Sequence, residues 1–307
     1  MLTRSLITAA LATSLFACLP QHEAPSDLQR AIPTADQVQI KLPGGATRQL
    51  GQLAEWYGAT RNVTRTFNGG TAWVFVIVHT IIQFPVTTVD GNKYTWGPWS
   101  AALDPAEYKL DVLEVGDGTY EYQLSGRTKL ERGSAFEIVL DGFADPRAGA
   151  DRGHGSFVLD FDAGRRVNPI DAEDARGKVT VAYDLAAKQL ELAIDSVDDR
   201  GEPVLAEYAY TAAADGGGDM TFSVEGNAGG TAAIEQITLR SRWLGTGEGR
   251  ADARVRGGDL GDTGATASEC WDDTFRRVYY ADSVNLAPAE GTVDACAFAT
   301  QDLPPVP

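Results

Sequence analysis

From about residue 93 onward, apolar and polar residues alternate in one short run after another. The runs "AFEIVLDGF", "GKVTVAYDL", "KQLELAIDSV", "DMTFSVEG" and "GRADARVRG" all carry the pattern. In one, Val179, Val181 and Tyr183 share a parity opposite Lys178, Thr180 and Asp184; in another, Leu190, Leu192 and Ile194 oppose Gln189, Glu191 and Asp195. Successive side chains of an extended chain point to opposite sides, so a two-residue period means a strand with one buried and one wet face. Turn formers stand between the runs: Asp90-Gly91-Asn92, Gly116-Asp117-Gly118, Asp215-Gly216-Gly217-Gly218 and Asn227-Ala228-Gly229-Gly230. With a turn about every 10 to 15 residues, this part of the chain reads as roughly a dozen strands joined in sequence order.

A meander of this length accumulates twist and must cover its apolar face and its edges. The expected cover is N-terminal. Leu50, Leu53, Trp56, Tyr57, Val63 and Phe67 follow spacings of three and four, an amphipathic helix interrupted near Gly58. After Asn68-Gly69-Gly70-Thr71 comes "AWVFVIVHTIIQFP", in which only His79, Thr80 and Gln83 are polar between Trp73 and Phe84. This stretch is too short to span a membrane as a helix. Thr71 can cap a buried helix and Pro85 end it, whereas the β-branched content also permits a buried strand; the helix is the expectation. The predicted fold class is mainly β: a long antiparallel meander forming a barrel or strongly curved half-barrel around an N-terminal helical segment. It forms a single domain over residues 48–303, with a disordered tail at 304–307. An outer-membrane barrel would also alternate, but it needs aromatic girdles and a closing aromatic strand. The chain ends in "QDLPPVP", which cannot complete a ladder.

Arg4 is the only charge ahead of an apolar run from Leu6 to Phe16. As a helix that run rises about 16 Å, well short of a hydrocarbon core of about 30 Å. One cation, a short apolar core and small residues near its end make residues 1–17 a secretory signal peptide. Leu15-Phe16-Ala17-Cys18 resembles the lipobox of bacterial lipoproteins, with Phe16 where that family usually has a small or hydroxylated residue. The resemblance implies cleavage before Cys18 and lipid attachment at Cys18. It also implies a lasting membrane tether, since more than one acyl chain anchors a protein stably. Leu19, where that family's sorting rules place Asp for inner-membrane retention, implies the outer membrane. Residues 18–47, rich in Pro, Gly and polar residues, read as the lipidated flexible stalk.

The chain carries 43 Asp and Glu against 26 Lys and Arg, a formal charge of −17. Phosphate backbones and anionic lipid surfaces repel such a protein, which argues against nucleic acid as a partner. With Cys18 assigned to lipid, Cys270 and Cys296 remain as an even pair. An exported chain meets an oxidising compartment, where such a pair forms a disulfide. Closing a loop of about 27 residues stabilises the fold by roughly 3 kcal/mol.

Catalytic signals are sparse. The histidines His22, His79 and His154 are far apart, and no G-x-S-x-G elbow, H-E-x-x-H helix or P-loop is present. No catalytic residue, cofactor or metal is therefore expected. One alternative is an envelope hydrolase using His154 from "DRGHGSF" with Asp160 and Asp162 from "VLDFDAG", two apart on one strand face. Asp171, Glu173, Asp174 and the pair Asp198-Asp199 add oxygens of the kind calcium takes, but no segment has EF-hand spacing. A solvated acidic face accounts for them.

Two aromatic segments stand out. "SECWDDTFRRVYYADSV" holds Trp271, Arg276, Arg277 and Tyr279, and "YTWGPWSAALDP" holds Trp96 and Trp99. Aromatics beside arginines favour a recognition surface and tryptophans near turns can stack on sugar rings, so these six residues are the candidate binding surface. The competing reading has the same aromatics filling the ends of a barrel. The "WGPW" and "ECWD" stretches, together with the lipobox, resemble an uncharacterised group of secreted bacterial lipoproteins. At the level of fold alone, a curved antiparallel sheet around a helix looks like the periplasmic lipoprotein carriers. The expected function is a membrane-anchored, non-enzymatic binding or structural envelope protein. Its partners would be the membrane, through the N-terminal lipid, and an envelope protein or an apolar ligand carried in the sheet interior.

Overall fold

The computed structural model describes residues 34–42, 54–62, 64, 65, 68, 85–100, 102–149, 151–170, 176–197, 201, 203–226, 233–285 and 287–304. The signal peptide, Cys18, most of the stalk and the apolar stretch 73–84 lie outside the described residues. The ordering of the rest is simple: fifteen strands form one sheet, each hydrogen-bonded to its neighbours in sequence. The first five are β1 (Thr88–Asp90), β2 (Lys93–Trp99), β3 (Ala106–Gly116), β4 (Thr119–Thr128) and β5 (Glu137–Asp145). Next come β6 (His154–Asp160), β7 (Lys178–Asp184), β8 (Gln189–Val197), β9 (Pro203–Ala212) and β10 (Gly218–Gly226). The last five are β11 (Glu235–Trp243), β12 (Gly249–Gly257), β13 (Gly261–Trp271), β14 (Arg277–Asp282) and β15 (Glu290–Gly291). All pairs are antiparallel, as the alternation requires. The sheet is not closed: β1 and β15 end it without pairing to each other, so of the two expected shapes the complete barrel is not formed.

The alternation becomes rows of apolar side chains on one face. Leu110, Leu124, Leu140, Leu159, Val179, Ile194 and Ala206 stand directly opposite one another from β3 to β9. A second row runs Phe157, Val181, Leu192, Tyr208, Phe222, Leu239 and Ala253 from β6 to β12. Most of these residues are buried in a single hydrophobic core, and each large one contributes about 1.5–3 kcal/mol by leaving water.

Glycine breaks the rows at defined places, five of them opposite an aromatic. Tyr108 faces Gly126, Tyr122 faces Gly142, and Tyr183 faces Gly155. Trp243 faces Gly218, and Trp271 faces Gly249. A Cβ on Gly142 would stand 2.3 Å from the Tyr122 ring, and one on Gly218 or Gly249 would stand 2.4 Å from the opposing indole. The bare backbone is what lets each ring lie down across the neighbouring strand.

Two helical pieces cover this face. Residues 55–62 are helical and lie over β11 and β13. The buried Glu269 carboxylate accepts the backbone N–H groups of Glu55 at 3.1 Å and Trp56 at 2.6 Å. These N–H groups have no partner within the helix, and the positive end of the helix dipole favours an anion there. Burial raises the Glu269 carboxyl pKa, and the two N–H bonds counter that rise. Tyr57 stacks on Phe275 at 4.3 Å between ring centres, and Thr60 Oγ1 meets Ser241 Oγ at 2.5 Å. The second piece, Phe161–Val167, follows β6, is capped by Asp160 accepting from Ala163 N at 2.8 Å, and packs on β4 and β5.

Two alanine substitutions test this packing with opposite signs. Gly155→Ala should destabilise by about 1–3 kcal/mol, because its Cβ would meet Phe143 O at 2.3 Å and Tyr183 Oη at 2.4 Å. Gly164→Ala, in the helix Phe161–Val167 with nothing within 4 Å of the added carbon, should stabilise by about 0.5–1 kcal/mol. Urea midpoints of the two variants against the parent chain check both.

Candidate functional site

The second face is polar and falls into three zones along the strand order. Over β2–β4, Lys93 and Lys109 hold Asp111 at 3.3 and 2.8 Å, while Thr95 donates to it at 2.6 Å. Burial pushes the Asp111 pKa up, but these three donors outweigh it and the net shift is downward. Arg127 pairs with Glu107 and lies 4.6 Å from the Phe136 ring centre.

Over β10–β13 the charges are tied to a strap. Arg240 forks onto Asp219 at 3.0 and 2.6 Å and reaches Asp302 at 2.8 Å. Asp252, fully buried, accepts from Arg250 at 2.8 Å, Arg242 at 3.1 Å, Ser268 at 2.7 Å and the Asp302 N–H at 3.0 Å. Arg250 also donates to the carbonyls of Phe298 and Ala299, and Arg242 to that of Thr300. A disulfide joins Cys270 to Cys296, with their Cα atoms 5.5 Å apart, and fixes where this C-terminal segment starts across the sheet. Desolvating a buried ion pair costs about as much as the attraction returns, so the Arg250–Asp252 pair serves mainly to set the path of the strap.

Between these zones, over β7–β11, the side chains are short. Thr180, Ala182, Ala193, Ala209, Thr221 and Ser223 line a groove of about 550 Å³, with the buried Thr238 on its β11 side. Glu191 and Glu207 rise from it. The register sets Glu191 opposite Ala182 and Ala209, and Glu207 opposite Ala193 and Ser223. The two carboxylates are thus diagonal neighbours on β8 and β9, with methyl and hydroxyl groups across from them and no cation. Neither has an ion-pair partner among the described residues, in contrast to Asp111, Asp219 and Asp252 on either side. Like charges at this spacing repel, and a cation seated between them would remove the repulsion. The volume suits a small organic ligand.

The residues singled out from sequence do not gather here. His154 opens β6 and Asp160 ends it, about 20 Å apart along a strand. Asp160 is engaged as the helix cap and pairs with Lys178 at 3.2 Å. Asp162 lies in the first turn of that helix, not on a strand face with Asp160, because the chain turns helical at Phe161. The hydrolase constellation of His154, Asp160 and Asp162 therefore does not converge. His154 instead stands 3.9 Å from Asp145, which Arg147 grips at 2.9 and 2.5 Å.

The binding-surface set divides. Trp96 and Trp271 are at most 1% exposed and belong to the core, which corrects their assignment to a surface. Trp271 lies across Gly249 and donates Nε1 to Gly247 O at 3.0 Å. Trp99, Arg276, Arg277 and Tyr279 are half-buried. Arg277 is held by Glu290 at 3.0 Å and Glu269 at 3.6 Å, and the Tyr279 ring centre lies 5.9 Å from the Arg250 guanidinium. Sequence reasoning missed Glu191, Glu207 and Thr238. The available signal was a cluster of Ala, Ser and Thr on the wet parity of four successive runs.

Comparison with protein-family models, with curated proteins and with solved structures finds no match for this chain.

The Asp145–Arg147 contact gives a pH prediction. Hydrogen bonding by the Arg147 guanidinium is the main cause that lowers the Asp145 pKa to about 2, below an unfolded value of about 3.9. An acid whose folded pKa is depressed stabilises the fold above its unfolded pKa and loses that contribution as pH falls through the folded one. Asp145→Asn should therefore have a lower urea midpoint than the parent above pH 4. The difference should shrink steadily as the titration is taken down towards pH 2.

Proposed function

We propose that this chain is an exported, non-catalytic binding protein of the cell envelope, tethered by lipid on Cys18, whose groove over β7–β11 takes a small, polyamine-like organic cation. The observation that carries the reading is the pair Glu191 and Glu207, unpaired by any described cation in a groove floored by short side chains. Aliphatic segments of a polyamine lie against Ala182, Ala193 and Ala209, while its ammonium groups meet the two carboxylates and the hydroxyls of Thr221 and Ser223. The disulfide between Cys270 and Cys296 supports an exported location, since such bonds persist in oxidising compartments.

The sheet is taken to bend strongly, as a half-barrel, around the N-terminal segment that includes the helix 55–62. Burial of Val181 and Leu192 at the middle of the strand order supports this, because the helix Phe161–Val167 lies over β4 and β5 and cannot reach them. Carriage of an apolar ligand inside the sheet is the weaker reading, since the first-face rows are already packed against one another.

Calorimetric titration with spermidine tests the groove. One saturable site is expected, weakened at least tenfold in the Glu191→Gln/Glu207→Gln variant and weakened in the parent by added salt. Equal binding by the parent and the double variant, or no heat in either, would sink the assignment. Labelled palmitate tests the tether separately: it should enter the parent and not a Cys18→Ser chain.

A further inference from the structure

The connections of a meander alternate between the two ends of its strands, and here the two ends differ. At one end lie the seven links β2–β3, β4–β5, β6–β7, β8–β9, β10–β11, β12–β13 and β14–β15. Each holds, or directly abuts, an exposed aliphatic side chain: Leu103, Leu130, Ile170, Val197, Ile234, Leu260 and Val284 in that order. Their exposures run from 37% at Val197 to 97% at Leu103. At the opposite end, among the described residues, the comparably exposed large hydrophobics are Val115 beside β3–β4 and Val293 just past β15, and the remaining links there have none.

Scattered surface aliphatics need no explanation, but one in every link of a single rim is a pattern. The spacing decides what such a rim suits. Every second link is two strands on, about 10 Å, so the row extends about 60 Å along the sheet. A protein partner needs a contiguous, desolvated centre ringed by polar groups, which isolated side chains about 10 Å apart do not make. A bilayer interface accepts separate aliphatic anchors, each inserting on its own.

We infer that this rim is a membrane-docking edge, on which the seven aliphatics enter the interfacial region of a lipid bilayer. The chosen partner is an uncharged bilayer surface: the described charges of these links nearly balance, four carboxylates against five cations, and the net charge of −17 makes anionic headgroups oppose docking. The inference goes beyond the groove and does not need lipid on Cys18. It is compatible with that tether. Gln37 bonds Asp151 at the opposite end of the strands, and the sixteen residue steps from Cys18 to Thr34 reach at most about 55 Å, against a strand length of about 30 Å.

The test uses residues 18–307 carrying Cys18→Ser, so that no acyl chain contributes, and flotation with phosphatidylcholine–phosphatidylethanolamine vesicles. The chain should float with the vesicles, and the Leu103→Ser/Ile170→Ser/Ile234→Ser variant should lose at least tenfold in bound fraction at an unchanged urea midpoint. Val115→Ser should bind as the parent does, and phosphatidylglycerol should lower binding. Separately, Leu103→Trp and Ile234→Trp should each add an emission component quenched by brominated lipid, and Val115→Trp should not. No flotation, equal flotation of the triple variant, or loss of self-association in place of vesicle binding would each overturn the docking edge. Palmitate incorporation at Cys18 is read in a different chain, so failure of the tether and failure of the rim remain separate results.

Discussion

Direct opposition of side chains across neighbouring strands is the contact on which this molecule depends. A pure meander has no crossover helix to lock its order, so each strand is placed only by the two beside it. A slip of one residue in any pair would turn every later apolar side chain from the core to water. A slip of two keeps the parity, and against this the glycine–aromatic pairs act. Moving Tyr122 two places along β5 would set its ring on Leu140 or Ala144 in place of Gly142, where a Cβ already occupies the space the ring needs. The buried hydroxyls of Tyr122 and Tyr183 have no hydrogen-bond partner among the described residues, so these positions use the breadth of the ring and not its polar tip.

Once the first face is fixed, the second follows, and its chemistry is distributed by position in the order. Both edges are short, three residues in β1 and two in β15, which limits the unpaired backbone offered to another chain. Towards one edge, lysines and arginines hold single carboxylates at the surface. Towards the other, Asp252 and Arg250 are buried beneath a strap that would otherwise be a loose terminus. The disulfide alone would leave the strap free to swing about Cys296. The carbonyls of Phe298, Ala299 and Thr300, held by Arg250 and Arg242, remove that freedom.

Much of the fold was legible because strands with one wet face write their parity into the sequence. Val179, Val181 and Tyr183 fall on the buried face as their alternation requires, and of the turn formers Asp215–Gly218 the first three fall between β9 and β10 while Gly218 opens β10. What parity does not carry is position normal to the sheet. Trp271 reads as a surface residue because arginines follow it closely, and Trp96 because its segment is rich in turn formers, yet what buries them is packing across strands, such as that of Trp271 over Gly249 from a different run. Asp160 and Asp162 read as one strand face because nothing in "VLDFDAG" marks Phe161 as the first residue of a helix. The groove was illegible for a related reason: alanine and serine on a wet face carry no signal singly, and only the register brings those of four strands to one place.

The groove and the rim draw on different directions of the same sheet, and that makes them compatible. Side chains stand roughly perpendicular to a sheet, whereas the links lie at the ends of its strands. A bilayer meeting the strand ends therefore leaves the polar second face accessible, the groove with it. The groove also lies over β7–β11, in the middle of the order and away from both short edges and from the disulfide-held start of the strap. Strands there are ordered from both sides, so the backbone positions of Glu191 and Glu207 are fixed before any ligand, and the proposed cation would meet two carboxylates already set side by side.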